Sequence, residues 1–348
     1  MSEGSPTASA PDKRATLRTV AEKSGFAITT VSRALANDPR IAKTTREKVA
    51  AVADELGYVP NRAAQRLRTG RTKVISLLLN TNHEFVSFSS ELLRGMTEGL
   101  RGTGYAMNIT PSGMGEDALE VIRNIHRNSL ADAVVFTRTE CFDDRVRYLL
   151  EHNFPFATHG RTDFTTPHPY VDFDNARFAR MAIDRLVENG RKHICMVMPD
   201  ERYTFGQHLR VGARQAVTQH GIDFTIPEGV NFDSPPDAIS AALRQLHASD
   251  NPPDGYVCVG EIMALITLAA LQDMGLTPGV EADILAKHAS PISNHFRPRI
   301  ETVHEDVYAT GKAMAQVLLH RMNGGSMEDM QVLLAPVHDF SMSLPSKH

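Results

Sequence analysis

The first residues whose types and spacing suit chemistry are Ala27-Ile28-Thr29-Thr30-Val31-Ser32-Arg33. On a helix, Val31 and Leu35 turn inward, which leaves Ile28, Thr29 and Arg33 outside, with Thr30 and Ser32 beside them. Arg33 can donate two parallel hydrogen bonds to guanine O6 and N7, whereas Ile28 can only touch a thymine methyl. The hydroxyls of Thr30 and Ser32 suit phosphate oxygens. This chemistry suits reading a major groove and involves no covalent step. Catalytic sets are missing: the sequence holds no Gly-rich phosphate loop, no Gly-x-Ser-x-Gly, no His/Cys cluster with metal spacing and no Cys-x-x-Cys. Its 15 histidines lie mostly singly. Neither an enzyme nor a cofactor is expected.

The elements that would hold this stretch are short helices. Leu17, Val20 and Ala21 precede a break at Ser24-Gly25, and Ile28, Val31, Ala34 and Leu35 follow it, the pattern of a helix-turn-helix. After the turn signal Asn37-Asp38-Pro39, the residues Val49, Val52, Ala53 and Leu56 mark a third helix that stops at Gly57. Thr44 and Glu47 read as a capping box opening it. Charge supports a nucleic-acid module at this end. Residues 13–73 hold 14 Lys/Arg against five Asp/Glu, whereas residues 74–348 hold 23 against 34, so the overall net charge of −4 hides a strongly basic segment.

The runs "TLRTVAEKSGFAITTVSRAL" and "TTREKVAAVADELGYVPNRAAQRLRTGRT" resemble the DNA-binding headpiece and hinge of the LacI/GalR family of bacterial transcription regulators. The resemblance implies DNA contact by Ile28, Thr29, Thr30, Ser32, Arg33 and Thr45. It implies backbone contact by Tyr58 and Asn61, and a hinge helix from Arg62 to Arg68 that orders on DNA, with Leu67 beside Ala64 as a minor-groove wedge. An arginine-rich segment this short does not fold alone in water, so its order would be coupled to the phosphates. Ala27, Ala36 and Ala42 depart from the family, which usually carries Ser, Asn and Ser there, so weaker capping and phosphate anchoring are expected.

After Lys73 the texture changes to alternating strands and helices. Apolar runs at 74–79, 133–136, 194–197 and 256–259, separated by amphipathic stretches, describe parallel sheets covered on both faces. The family resemblance extends here through "YVDFDNARFARMAIDRLVENGRKHICMV" and implies a two-lobed α/β, periplasmic-binding-protein-like domain behind an all-α headpiece. The expected boundaries are a disordered tail at 1–15, a helix-turn-helix domain at 16–60, a hinge at 61–73 and an effector and dimerisation domain at 74–340. Its lobes would be 74–174 plus 302–334, and 175–301.

Ligands of such sheets bind at the carboxyl ends of the strands. Asn82, His83, Phe85, Phe88, Arg161, Glu261 and His288 are candidates there, together with Asp174, which would equally suit a helix cap, and Arg210, which aligns with the family's effector-binding arginine. Polar groups beside aromatic faces suit a sugar. Lys287-His288 and Gly260-Glu261 replace more acidic pairs usual in the family, which leaves an anionic or purine ligand open. The expected protein is a ligand-responsive homodimeric repressor on double-stranded operator DNA, released by a small sugar. The alternatives are a corepressor-dependent regulator and a non-regulatory binding protein. The first fifteen residues lack an apolar signal core, no run of about 18 apolar residues exists and the three cysteines are widely spaced, so a cytoplasmic protein is expected. The tail from Gln331 has no heptad repeat, which argues against a coiled-coil tetramer.

Overall fold

The computed structural model of the protein describes residues 15–59, 66, 70–80, 86–112 and 117–338. The chain divides into two compact units, 1–72 and 73–348. Among the described residues no helix is long and apolar enough to cross a membrane.

The amino-terminal unit holds helices α1 (Leu17–Ser24), α2 (Ile28–Leu35) and α3 (Lys43–Glu55). Thr16 opens α1 with a reciprocal cap, its hydroxyl accepting from the Thr19 amide while the Thr19 hydroxyl accepts from the Thr16 amide. Gly25 closes α1 at φ 76°, a left-handed turn that costs glycine no Cβ clash, and the chain swings into α2. Val20, Ala21, Val31, Ala34, Val49 and Ala53 form the core, and the small alanines let the three helices approach closely. The capping box expected at Thr44 and Glu47 does not form. Helix α3 already starts at Lys43 behind Ala42, so Thr44 lies inside its first turn. Neither Ala27 nor Ala42 supplies a side-chain cap, as their residue types require.

The second unit contains, in order, β1 (Val74–Asn80), α4 (Val86–Leu100), β2 (Ala106–Ser112), α5 (Ala118–Arg127), β3 (Ala133–Phe136), α6 (Asp144–Glu151), β4 (Phe156–His159), β5 (Tyr170–Phe173) and α7 (Asn175–Glu188). There follow β6 (His193–Met196), α8 (Thr204–His220), β7 (Asp223–Thr225), α9 (Pro236–His247), β8 (Gly255–Cys258), α10 (Glu261–Asp273) and β9 (Asp283–His288). Strand β10 (Glu301–His304), α11 (Val307–Met322), β11 (Gln331–Leu334) and β12 (Val337–His338) complete it. The strands form two sheets, ordered β11-β5-β4-β3-β1-β2 and β12-β10-β9-β8-β6-β7, and every pair is parallel except β10 with β12. Each sheet is the middle layer of one lobe, with helices on both faces.

Among the described residues the chain passes between the lobes three times. The first passage, at Asp174, follows the end of β5. The second lies at Glu305 and not at 302, because β10 still pairs with β9, His304 standing opposite His288. A third, at 335–336, carries β12 onto the edge of the second sheet. Helix α11 belongs to the first lobe, where Val307, Met314, Ala315, Val317 and Leu318 fill the core beside Leu92 and Met96 of α4. Glycines permit this contact. A Cβ at Gly95 would stand 2.0 Å from the Tyr308 carbonyl oxygen, and one at Gly311 would stand 2.3 Å from that of Leu92.

Candidate functional site

Two surfaces carry the expected site residues. In the amino-terminal unit, Val31 is fully buried and Leu35 half-buried, which turns Ile28, Thr29 and Arg33 outward. Ile28 is 43% exposed, open to an apolar contact. Thr30, Ser32, Thr45 and Tyr58 are half-buried at the margin. Asn61, Arg62, Ala64 and Leu67 lie outside the described residues, as does most of the expected hinge.

In the second unit the strand order reverses between β1 and β3 and between β6 and β8. These are the crevices where ligands of open α/β sheets bind. A cleft of about 720 Å³, measured out to its open mouth, lies between the lobes there. Thr137, Arg138 and Thr139 reach it from the end of β3, His159 and Gly160 from β4, Asp172 from β5 and Asn175 from the crossover. The second lobe supplies Val259-Gly260-Glu261 after β8 and Lys287-His288-Ala289 from β9. Phe88, Phe205 and Phe232 add aromatic faces, and Glu305 stands at the return crossover.

Charge in the cleft is paired across it. Lys287 Nζ lies 2.7 Å from Glu305 Oε2 and 3.1 Å from Asn175 Oδ1, joining both crossovers to β9. Burial would push the Glu305 carboxyl up, but Lys287 and His159 outweigh it and hold the group at about 2. His159 Nε2 stands 3.6 Å from Glu305 Oε1, too long for a hydrogen bond, and both atoms are buried. Asp172, 2% exposed, is different. Burial pushes its carboxyl up, opposed only partly by His159, Arg161 and His208. Its Oδ2 has no hydrogen-bond partner among the described residues, Arg161 Nε being 3.5 Å away and His208 Nδ1 3.9 Å. A buried acceptor left in that state costs free energy that a bound hydroxyl can recover. Asp172→Asn is therefore expected to raise the unfolding free energy at pH 7 by on the order of 1 kcal/mol. That gain should vanish toward pH 3.8, where the free carboxyl is itself half neutral. The same variant should lose about tenfold in ligand affinity, checked by melting curves and calorimetric titration.

The structure sorts the sequence-derived candidates. Phe88, Glu261 and His288 line the cleft, and Arg161 stands behind Asp172. Glu261 spends one oxygen on the loop after β9, accepting from the amides of Ala289 and Ser290 and from the Ser290 hydroxyl. Asp174 does not line the cleft. It caps α7, accepting from the Arg177 amide at 2.9 Å, and the neighbouring Asn175 faces Lys287 instead. Arg210 does not line it either, because its guanidinium turns back to the carbonyls of Pro199 and Gly206 and to Glu201. Asn82, His83 and Phe85 lie outside the described residues. Sequence reasoning missed Arg138, His159, Asp172, Phe205, Phe232 and Glu305. The available signal was a polar or charged residue at or just past the end of an apolar run, as in Phe136-Thr137-Arg138 and Val171-Asp172.

Residues 16–61 match the family profile described as bacterial regulatory proteins, lacI family, and residues 183–339 match the periplasmic binding protein-like domain. The HTH-type transcriptional regulator CelR of Thermobifida fusca is 27% identical over 92% of this chain and 96% of its own length. The HTH-type transcriptional repressor PurR of Erwinia tasmaniensis is 24% identical over 92% and 94%. Among solved structures, a complex of the transcriptional regulator CelR with cellobiose is similar at 25% identity and a TM-score of 0.68, covering 93% of this chain and 98% of that one. The lac repressor dimer bound to operator shares the fold at a TM-score of 0.76 and 20% identity, covering 93% and 97%.

Proposed function

Since the chain belongs to the LacI family of bacterial regulatory proteins, whose members are transcription regulators and not enzymes, we propose that it is a cytoplasmic, homodimeric repressor released from operator DNA by a neutral, sugar-like effector. One observation carries the choice of effector. The two permanent cations among the described residues lining the cleft each face a carboxylate, Lys287 that of Glu305 and Arg138 that of Asp233. Neither offers surplus positive charge to an anion. A sugar hydroxyl both donates and accepts, so it can satisfy Asp172 Oδ2 and the neighbouring His159 without adding charge. Phe88, Phe205 and Phe232 can cover the apolar face of its ring. The pairing answers the expectation of an anionic ligand drawn from Lys287-His288, because that lysine is already neutralised.

On the DNA side, Ile28, Thr29 and Arg33 would meet base edges and Thr30, Ser32, Thr45 and Tyr58 the backbone. Supporting parallels come from the CelR relative and its cellobiose complex. The test uses full-length protein and the region upstream of its own gene at about 0.1 M salt. Specific retardation is expected, with release by a neutral mono- or disaccharide that also raises the melting temperature. If only hexuronates or purines do so, the sugar assignment fails. If no specific complex forms, the regulator assignment fails with it.

A further inference from the structure

Away from the three crossovers, the lobes also meet through non-covalent contacts between the turn after β3 and the start of α8. The Thr204 amide and hydroxyl both donate to the Thr139 carbonyl, at 3.0 and 3.1 Å. Glu140 and Tyr203 form an isolated antiparallel bridge, and the Cys141 amide donates to the Arg202 carbonyl at 3.1 Å. Arg202 Nε lies 3.9 Å from Glu140 Oε1. Beside them, the Arg138 guanidinium reaches from the first lobe to the Asp233 carboxylate of the second and stands 5.0 Å over the Tyr203 ring.

The first-lobe half of this contact is braced. Arg138 has φ 56°, a left-handed conformation that disfavours a long side chain, and its carbonyl accepts from Arg145 Nη2 at 2.8 Å. The Glu140 amide donates to Asp143, which is 1% exposed and paired with Arg145. Arg138, Thr139 and Phe205 also line the cleft, so the contact borders the ligand space.

We propose that Arg138–Cys141 and Arg202–Thr204 form a clasp that fastens the two lobes to each other beside the cleft and must part for the lobes to separate. Strain at Arg138 then serves a purpose, because it aims the guanidinium across the gap. The proposal does not depend on which ligand the cleft takes.

The Cys141 thiol faces the Thr204 hydroxyl, so the chain carries half of a reporter. In ligand-free, full-length Thr204→Cys protein under mild oxidation, a disulfide to the native Cys141 is expected, read as a linked peptide by mass spectrometry. Cys195 and Cys258 are buried and do not compete. Two alkylated thiols and no linked peptide would overturn the clasp. Independently, Arg138→Met is expected to speed hydrogen exchange at the Cys141 and Thr204 amides by at least about tenfold, leaving Val135 and Val257 unchanged. Equal exchange in the variant and the wild type would equally overturn it.

Discussion

Replacing Lys287 by methionine is expected to lower the unfolding free energy of the second unit by about 3–5 kcal/mol at neutral pH. The loss does not measure the worth of the ion pair. It is the cost of leaving Glu305 charged, 3% exposed and without its cation. Glu305→Gln added to Lys287→Met should recover most of it, since an amide needs no counter-charge, and denaturant unfolding of the single and double variants checks both statements. Acidity gives a second reading. The folded Glu305 carboxyl titrates at about 2 against an ordinary 4.5, so its contribution is complete above pH 4.5 and is lost as pH falls from there toward 2. The Lys287→Met protein should lack most of that acid limb. A loss below about 1 kcal/mol would mean that Glu305 finds water or another partner.

Arg33→Ala is expected to weaken specific operator binding by about 1–3 kcal/mol per half-site, roughly ten- to a hundredfold, and to relax the base preference at one position. Gel retardation against the operator and against versions with that base pair changed measures both effects. If Arg33 contacts phosphate instead, affinity will fall equally for every sequence. The slope of log affinity against log salt will also flatten by about one.

What could be read from the residues, and what could not, follows from the range of the forces involved. The three amino-terminal helices were legible because their apolar spacing, the break at Gly25 and the stop at Gly57 are local. Even so, α3 starts ahead of Thr44: that residue offers a capping signature, whereas the backbone turn at Ala42 leaves no trace in residue type. The parallel sheets were legible from their apolar runs, and the crossover at Asp174 from the end of one such run. The later crossover lies at Glu305 and not at 302 because pairing of His304 with His288 depends on a partner strand elsewhere in the chain. The cleft was least legible. Arg210 and Asp174 are polar residues near the right place whose hydrogen bonds point backward, into their own loop and helix. Asp172, buried beside Arg161 of the neighbouring loop, and Glu305, paired with Lys287 of the other lobe, could be assigned only once the sheets were stacked.

The placement of α11 in the first lobe bears on the order in which this protein can be made. Strands β6 to β10 and their helices occupy one uninterrupted stretch of chain, so nearly all of the second lobe is complete when residue 304 leaves the ribosome. The first lobe begins earlier yet waits longer. Its core lacks Val307, Met314 and Leu318, and its edge lacks β11, until more than two hundred residues after β1 have been synthesised. Closing so long a loop is slow, and a half-built sheet exposes apolar surface meanwhile. The lobe that appears first on the nascent chain is thus the last to receive all of its parts.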